Sequence, residues 1–209
     1  MTTSVDLPAA SKLDLSEIQS AVSRGEMTIT VPAGTHNADL PAIASCIKGA
    51  KGITLDLSAT KITAIGERAF ASCSALKTVI LPSTLTSIGD YAFLMCDSLI
   101  SITIPSSVTS IGDEAFSGCE NLSSVTIDVS VTSIGAGAFE WCENLTSITI
   151  GAGVTSIGEW VFYRCKRLTS IMFAHTEGWC LDEGLTQSVG SWELSSRVKA
   201  GAALYNNGR

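Results

Sequence analysis

Apolar residues recur along most of this chain at a fixed spacing of 23 residues. Four positions of the repeating unit carry the same residue type in five successive units, and each isoleucine is followed by glycine. Such a period is typical of a solenoid, in which each unit buries its apolar side chains against its neighbours. The equivalent residues are Ile65, Ile88, Ile111, Ile134 and Ile157; Phe70, Phe93, Phe116, Phe139 and Phe162; Cys73, Cys96, Cys119, Cys142 and Cys165; and Leu76, Leu99, Leu122, Leu145 and Leu168.

Each unit combines a short extended segment, a predicted helix and a strand. The segment Thr-Ser-Ile-Gly, which is Thr-Ala-Ile-Gly in the first unit, comes first. About two turns of helix are predicted through the pattern Ala-Phe-x-x-Cys, in which Val161 replaces the alanine in the fifth unit. A strand follows on alternating apolar residues, as in Leu99, Ile102 and Ile104. Because side chains alternate along a strand, the opposite face carries mainly hydroxyl side chains. These outward residues are Thr78 and Ile80, Ser101 and Thr103, Ser124 and Thr126, Ser147 and Thr149, and Ser170 and Met172.

The regular units occupy residues 62–173, and both ends of the chain depart from the period. Residues 1–61 are predicted to form an N-terminal cap with degenerate repeats. Residues 174–209 are predicted to form a C-terminal cap with a last helix at about residues 192–205. The expected molecule is therefore one elongated solenoid with a helical cap at each end.

Two helices and two strands are predicted in the N-terminal cap. The first helix covers about residues 15–24, starts with a capping box of Ser16 and Gln19, and stops at Gly25. Asp39 is predicted to cap the second helix, whose first turn contains proline. The predicted strands are Met27–Val31 and Ile53–Leu57.

The charge balance argues against some classes of partner. The chain has 209 residues, a formal net charge of −7 and 16% charged residues. Phosphate binding needs clustered lysine and arginine, so no nucleic-acid partner is expected. The apolar runs are too short for a membrane span. The N-terminus does not have the pattern of a signal peptide, which indicates either a protein that stays inside the cell or a leader that was removed.

Seven cysteines raise the question of disulfides and metal sites. Five of them share one position of the unit and are predicted to form a column of reduced, structural thiols in the core. Cys46 and Cys180 lie outside that position, and an odd total argues against complete disulfide pairing. Zinc sites need much closer cysteines, so no metal ligand is predicted.

The second unit, TSIGDYAFLMCDSLISITIPSSV at Thr86–Val108, and its companions resemble the BspA-type, or treponemal-type, leucine-rich repeat. The resemblance implies an α/β repeat fold, a right-handed solenoid with a parallel sheet on its concave side. It also implies a bacterial surface protein that binds other proteins and has no shared catalytic residues. The chain departs from the family pattern in its third and fourth units, where Asp128 and Gly151 replace the proline found at Pro82 and Pro105 in the first two units.

Few residues have the chemistry of a catalytic site. His175 lies five residues before Cys180, and this is the one pairing that combines a nucleophile with a base. An active site needs several convergent groups of distinct kinds. We therefore expect neither catalysis nor a cofactor, and interpret both residues as surface residues.

The variable positions of the predicted helices carry an uneven set of large side chains. Trp141 and Arg164 share one position in adjacent units, which predicts a cation–π pair. Two interpretations stay open: an interface for a partner or a second copy, where Trp, Tyr and Arg are enriched, or burial beneath a C-terminal cap containing Trp179 and Trp192. The large side chains are Tyr91, Leu94 and Met95 in the second unit, Trp141 in the fourth, and Trp160, Tyr163 and Arg164 in the fifth.

A rigid repeat scaffold without a catalytic constellation is expected to be a binding protein. A protein partner is expected to contact the large side chains above, the hydroxyl face of the sheet and Met172, and self-association stays open. The alternative is a small hydrophobic ligand in a pocket near the C-terminal end, where Met172 and Phe173 lie. The hydroxyl candidates are Ser101, Thr103, Ser124, Thr126, Ser147 and Thr149.

Overall fold

The computed structural model describes residues 4–6, 14–25 and 27–174 of the chain. These residues form two parallel sheets, and each regular unit adds one strand to each sheet. The larger sheet contains β1, β2, β3 and the odd-numbered strands from β5 to β13, and the smaller sheet contains the even-numbered strands from β4 to β12. This arrangement confirms the predicted parallel-sheet solenoid. The strands in chain order are β1 (Ser4–Asp6), β2 (Thr28–Thr30), β3 (Ile53–Asp56), β4 (Ala64–Ile65), β5 (Leu76–Ile80), β6 (Ser87–Ile88), β7 (Ser101–Ile102), β8 (Ser110–Ile111), β9 (Ser124–Ile127), β10 (Ser133–Ile134), β11 (Ser147–Ile150), β12 (Ser156–Ile157) and β13 (Ser170–Phe173).

Equal unit lengths keep equivalent residues in register between neighbouring strands. Ser110 pairs with Ser133, which pairs in turn with Ser156. In the larger sheet, Ile148 pairs with Ile171. Neighbouring strands lie about 4.8 Å apart, so each recurring residue of the sequence becomes a member of a stack. The predicted columns are confirmed for the described residues.

Within the described residues, two α-helices, α1 (Leu15–Ser23) and α2 (Leu40–Ile47), precede the regular units and pack against each other, and a short 3₁₀ helix, Asn37–Asp39, lies directly before α2. The side chain of Asp14 caps α1, because its Oδ1 accepts hydrogen bonds from the backbone N–H and the hydroxyl of Ser16 at 2.8 and 2.7 Å. The predicted cap at Ser16 is therefore wrong. A carboxylate is the stronger acceptor at the positive end of a helix, and here it lies two residues earlier.

The rest of the N-terminal region resembles the prediction more closely. Asp39 precedes α2 as expected, but its carboxylate accepts a hydrogen bond from the backbone N–H of His36 rather than from the helix. Strands β2 and β3 lie inside the predicted ranges and join the larger sheet next to β5. The residues before the regular units thus extend the same sheet.

The segment between the two strands of each unit is a series of turns, and the helix predicted there is wrong. In the second unit the backbone N–H groups of Tyr91, Phe93 and Met95 each donate to a carbonyl oxygen of the third unit at 2.8 Å. An α-helix needs each N–H to bond to the carbonyl four residues earlier in the same chain segment. Here the neighbouring unit supplies every second acceptor, and the N–H groups in between donate to carbonyls three residues earlier in the same unit. We name these segments, residues 66–73, 89–96, 112–119, 135–142 and 158–165, the turn side.

Two positions in each unit of the turn side have a left-handed backbone, with φ between 50° and 71°. This conformation costs an L-residue about 1–2 kcal/mol, whereas glycine adopts it freely. Only two of these ten positions hold glycine, so the turn side keeps large side chains on a strained backbone. The two columns are Arg68, Tyr91, Glu114, Gly137 and Trp160, and Ser72, Met95, Gly118, Trp141 and Arg164.

Exchanges of glycine at these positions test the strain. Replacing the exposed Ser72 with glycine is expected to raise the free energy of unfolding by about 0.5 kcal/mol, because the relief of strain exceeds the entropy that glycine adds to the unfolded chain. Replacing Gly118 with alanine is expected to lower it by about 1 kcal/mol for the opposite reason. Urea unfolding measures both changes. Ser74→Gly is the matched control outside the left-handed positions and should not stabilise the protein. Stabilisation by Gly118→Ala would contradict the interpretation that these positions are strained for residues other than glycine.

Stacks of identical side chains fill the core of the regular units. The five phenylalanine rings lie nearly parallel, with centroids of neighbouring rings 5.2 to 6.2 Å apart. A second stack holds the free, buried cysteine thiols. The Sγ of Cys119 donates to the backbone carbonyl of Phe93 at 3.2 Å, and Cys96, Cys142 and Cys165 make the equivalent bond. Each thiol thus ties the core of one unit to the turn side of the unit before it.

Candidate functional site

Four side chains of the fourth and fifth units form a cluster on the turn side. The ring of Tyr163 meets Trp160 edge-on with centroids 5.3 Å apart, and meets Trp141 in the same manner at 6.3 Å. The guanidinium carbon of Arg164 lies 5.2 Å from the centroid of Trp141 and 5.4 Å from that of Tyr163. The predicted cation–π pair of Trp141 and Arg164 is confirmed. We name these four residues the aromatic cluster.

The aromatic cluster is exposed although its backbone is strained. The side chains of Trp141 and Trp160 are 41% and 50% exposed, and both residues have a left-handed backbone, as does Arg164. Glycine would relieve the strain at each position, so these large side chains are present despite a local cost in stability. The interpretation that a C-terminal cap covers the cluster involves Trp179 and Trp192, which lie outside the described residues, and it stays a prediction.

The large side chains of the second unit are separate from the aromatic cluster. The guanidinium of Arg68 stacks on Tyr91, with its central carbon 4.2 Å from the ring centroid. Met95 is 55% exposed and belongs to the same column as Trp141, two units earlier. Two units correspond to about 10 Å, so Tyr91 and Met95 lie on the same side of the solenoid without joining the cluster.

Two carboxylates next to the aromatic cluster were not expected from the sequence. The Oε1 of Glu140 accepts a hydrogen bond from the indole N–H of Trp141 at 3.0 Å. Burial raises the pKa of the Glu140 carboxyl, the bond from Trp141 opposes this rise, and the negative charge of Glu114 adds to it. The signal in the sequence was Gly137, because it interrupts a column of large side chains and makes room for the side chains of Glu114 and Glu140.

The hydroxyl face lies on the larger sheet, away from the turn side. Ser101, Thr103, Ser124 and Thr126 are exposed, as predicted for outward positions of the strands. Serines and threonines of neighbouring units pair directly, as in Ser124 with Ser147 and Thr126 with Thr149. At the two ends of this face Ile80 and Met172 are 43% and 57% exposed. A binding role for these residues stays a prediction.

Two shallow cavities lie on the strand side of the solenoid. One of about 410 Å³ borders the hydroxyl face between Ile80 and Pro105. The other, of about 660 Å³, runs across five units and is lined by Asn121, Asn144 and Arg167, among others. In that groove the amide of Asn144 donates to the carbonyl oxygen of Glu120 at 2.9 Å, and Asn121 makes the equivalent bond to Asp97. The asparagines therefore hold neighbouring units together in a ladder that was not predicted from the sequence.

Neither cavity is the hydrophobic pocket that was predicted near the C-terminal end. That pocket was placed beside Met172 and Phe173, where the described part of the chain ends. The small-ligand alternative therefore stays a prediction.

Among residues 4–6, 14–25 and 27–174, no group of three or more His, Cys, Asp and Glu side chains is arranged to hold a metal ion. His175 and Cys180 lie outside these ranges. The helices in the same ranges are all too short or too polar to cross a membrane.

Parallel strands, one per unit in each sheet, with columns of leucine, isoleucine, phenylalanine and cysteine inside, define a leucine-rich-repeat solenoid. A family model described as BspA type leucine rich repeat region matches residues 44–169 in six copies. The chain belongs to this family. The match begins inside α2 and therefore extends into the residues before the five regular units.

Several solved structures are similar to this chain. A leucine rich repeat protein of T. pallidum, TpLRR, is 26% identical with a TM-score of 0.54, over 69% of this chain and 79% of that one. A leucine-rich repeat protein from Bacteroides ovatus is 22% identical with a TM-score of 0.44, over 69% and 48% of the two chains. A leucine rich cell surface protein from Faecalibacterium prausnitzii is 22% identical with a TM-score of 0.38, over 83% and 65%. No curated protein sequence matches this chain.

Proposed function

We propose that this protein is a non-catalytic binding module that contacts a protein partner through the aromatic cluster. The observation that carries the proposal is the exposure of Trp141 and Trp160 on a strained, left-handed backbone. Local strain of this kind persists where the surrounding structure enforces it, and it is common at ligand-binding sites. Exposed tryptophan, tyrosine and arginine are also the residue types that dominate binding energy at protein interfaces.

The scaffold supports the same proposal. Hydrogen bonds between units hold the backbone of Trp141, whose N–H donates to the carbonyl of Tyr163 at 2.8 Å. The ring contacts restrict the side chains as well, so little conformational entropy is left to lose on binding. Membership of the family extends the proposal to a partner outside a bacterial cell, such as a host-cell or matrix protein.

A peptide library selected against the purified protein tests this proposal. The selected peptides are expected to bind the double variant Trp141→Ala/Trp160→Ala about tenfold more weakly or worse, because truncation removes the two largest contacts of the surface. The control is Ile100→Ala/Val129→Ala, which removes exposed apolar side chains elsewhere and should change the Kd by less than about twofold. Selected peptides that bind both double variants as tightly as the unchanged protein would refute the proposal.

Sedimentation of the unchanged protein and of Trp141→Ala/Trp160→Ala tests whether the partner is a second copy of this chain. A dimer that the double change converts to a monomer makes the aromatic cluster a self-interface. Monomers in both, with equal melting temperatures, leave the tryptophans free for another protein. A monomer with a much lower melting temperature would mean that the tryptophans are covered within the chain, which contradicts the proposal.

A further inference from the structure

Two glutamate side chains occupy the space above Gly137, between the aromatic cluster and the third unit. A Cβ atom built on Gly137 would lie 3.1 Å from the Cγ of Glu114 and 3.2 Å from the Oε2 of Glu140. Every other unit has a side chain at this position: arginine, tyrosine, glutamate or tryptophan. The missing side chain in the fourth unit thus lets the Glu114 side chain and the Glu140 carboxylate approach the same point.

Within the described residues, these two carboxylates have no cationic partner. The ion pairs there join Arg68 to Glu67 and Lys166 to Glu143. Arg164 stacks on Trp141 and Tyr163 instead. Like charges at close range repel each other, and partial burial strengthens the repulsion because water screens it less. The raised pKa of Glu140 reflects the same situation. A cation brought to this point would therefore gain the attraction of both carboxylates.

The neighbouring indoles favour the same kind of ligand. Trp160 occupies the position of Gly137 in the next unit, and it is half exposed. Trp141 fixes the Glu140 carboxylate through its hydrogen bond to Oε1, which leaves Oε2 available as an acceptor. A cation near the face of an indole is attracted by the negative charge of the ring face. Carboxylates and indoles side by side match the planar guanidinium of arginine or the ammonium of lysine.

We infer that the partner of the aromatic cluster inserts a basic side chain, arginine or lysine, between the carboxylates of Glu114 and Glu140 and the indole of Trp160. This inference rests on the proposed function and names the chemistry of its partner. The net charge of −7 acts in the same direction, because it speeds the approach of a basic segment. The Arg164 guanidinium on Trp141 is an example of the same contact within the chain.

Isothermal titration with a peptide of six arginines, blocked at both ends, tests this inference on the full chain. The double variant Glu114→Gln/Glu140→Gln is expected to bind the peptide about tenfold more weakly, since it removes both charges and keeps the side-chain shapes. The matched control is Asp97→Asn/Glu120→Gln, which removes two exposed charges outside the turn side. It should weaken binding by less than about twofold, because surface charges act weakly at a distance. Thermal melting shows whether both double variants fold. If Glu114→Gln/Glu140→Gln does not fold, the single variant Glu140→Gln provides the test.

The outcomes separate this inference from the proposed function. Equal weakening by both double variants would show that only the net charge attracts the peptide, and no weakening by either would show that Glu114 and Glu140 do not contact it. Either result overturns the inference. If the library peptides still lose affinity on Trp141→Ala/Trp160→Ala in that case, the proposed function stands with a partner of different chemistry. If they do not, both proposals are wrong.

Discussion

Replacing Phe116 with alanine is expected to lower the free energy of unfolding by about 4 kcal/mol, a large part of the stability of an ordinary domain. The ring is fully buried and stacks between Phe93 and Phe139, with centroid distances of 5.2 and 5.3 Å. Its removal leaves a cavity in the middle of the phenylalanine stack. The neighbours cannot close it, because the sheet register holds each ring one unit from the next.

Urea unfolding followed by circular dichroism measures this loss. Phe116→Leu is the graded control and should cost clearly less, because most of the volume is kept. Ile100→Ala is the surface control and should change the stability by less than about 0.5 kcal/mol. Because stability in a solenoid depends on contacts between adjacent units, the transition of Phe116→Ala should also broaden. A loss below about 1 kcal/mol would contradict the proposed importance of the stack.

Alkaline pH is expected to unfold the protein through its column of cysteines. Burial raises the pKa of the thiols of Cys73 to about 11 and of Cys119 and Cys165 to about 12, from an ordinary value of 9.0. Burial also raises the pKa of Cys96 and Cys142 well above that value. Above pH 9 these thiols ionise in the unfolded chain while they remain protonated in the folded one.

The sign of the effect follows from proton binding. Between pH 9 and about 11 the folded state binds more protons than the unfolded state, so the free energy of unfolding falls as pH rises. Each buried thiol contributes about 1.4 kcal/mol per pH unit once its unfolded form is ionised. Below pH 9 the contribution of the thiols is complete and constant. Urea unfolding at a series of pH values from 7 to 10.5 measures the slope.

A single substitution shows how much of the slope belongs to the column. Cys142→Ser keeps a donor for the carbonyl of Phe116 and should reduce the slope above pH 9 by about 1.4 kcal/mol per pH unit. The control is Cys46→Ser, because Cys46 is only partly buried and lies outside the column. It should change the slope much less. An unchanged slope in Cys142→Ser would refute the role of the thiols.

The core and the sheets were predictable because the repeat is exact in length. A constant spacing of 23 residues places equivalent side chains next to each other, so the stacks of Phe116 and Cys119 follow from counting alone. The pair of Trp141 and Arg164 follows by the same argument. The alternation along the strands likewise predicted that Ser124 and Thr126 face outward.

The turn side was not predictable, because many of its backbone hydrogen bonds join different units. The pattern Ala-Phe-x-x-Cys suits a helix when it is considered alone, yet alternate N–H groups, such as those of Phe93 and Met95, donate to the following unit. A left-handed position is usually signalled by glycine, and of these ten positions only Gly118 and Gly137 give that signal. The approach of Glu114 to Glu140 depends on this geometry, so it was not predictable from the sequence.

The sequence by itself determined the family, the parallel solenoid and the identity of every stack in its core, because a solenoid of equal units turns spacing along the chain into contact in space. Only the tertiary structure decided how the turn side folds, that Trp141 and Trp160 are exposed on it, and which carboxylates lie beside them. These features depend on hydrogen bonds between units and on the sign of φ at non-glycine residues. Neither can be predicted from the sequence of a single unit.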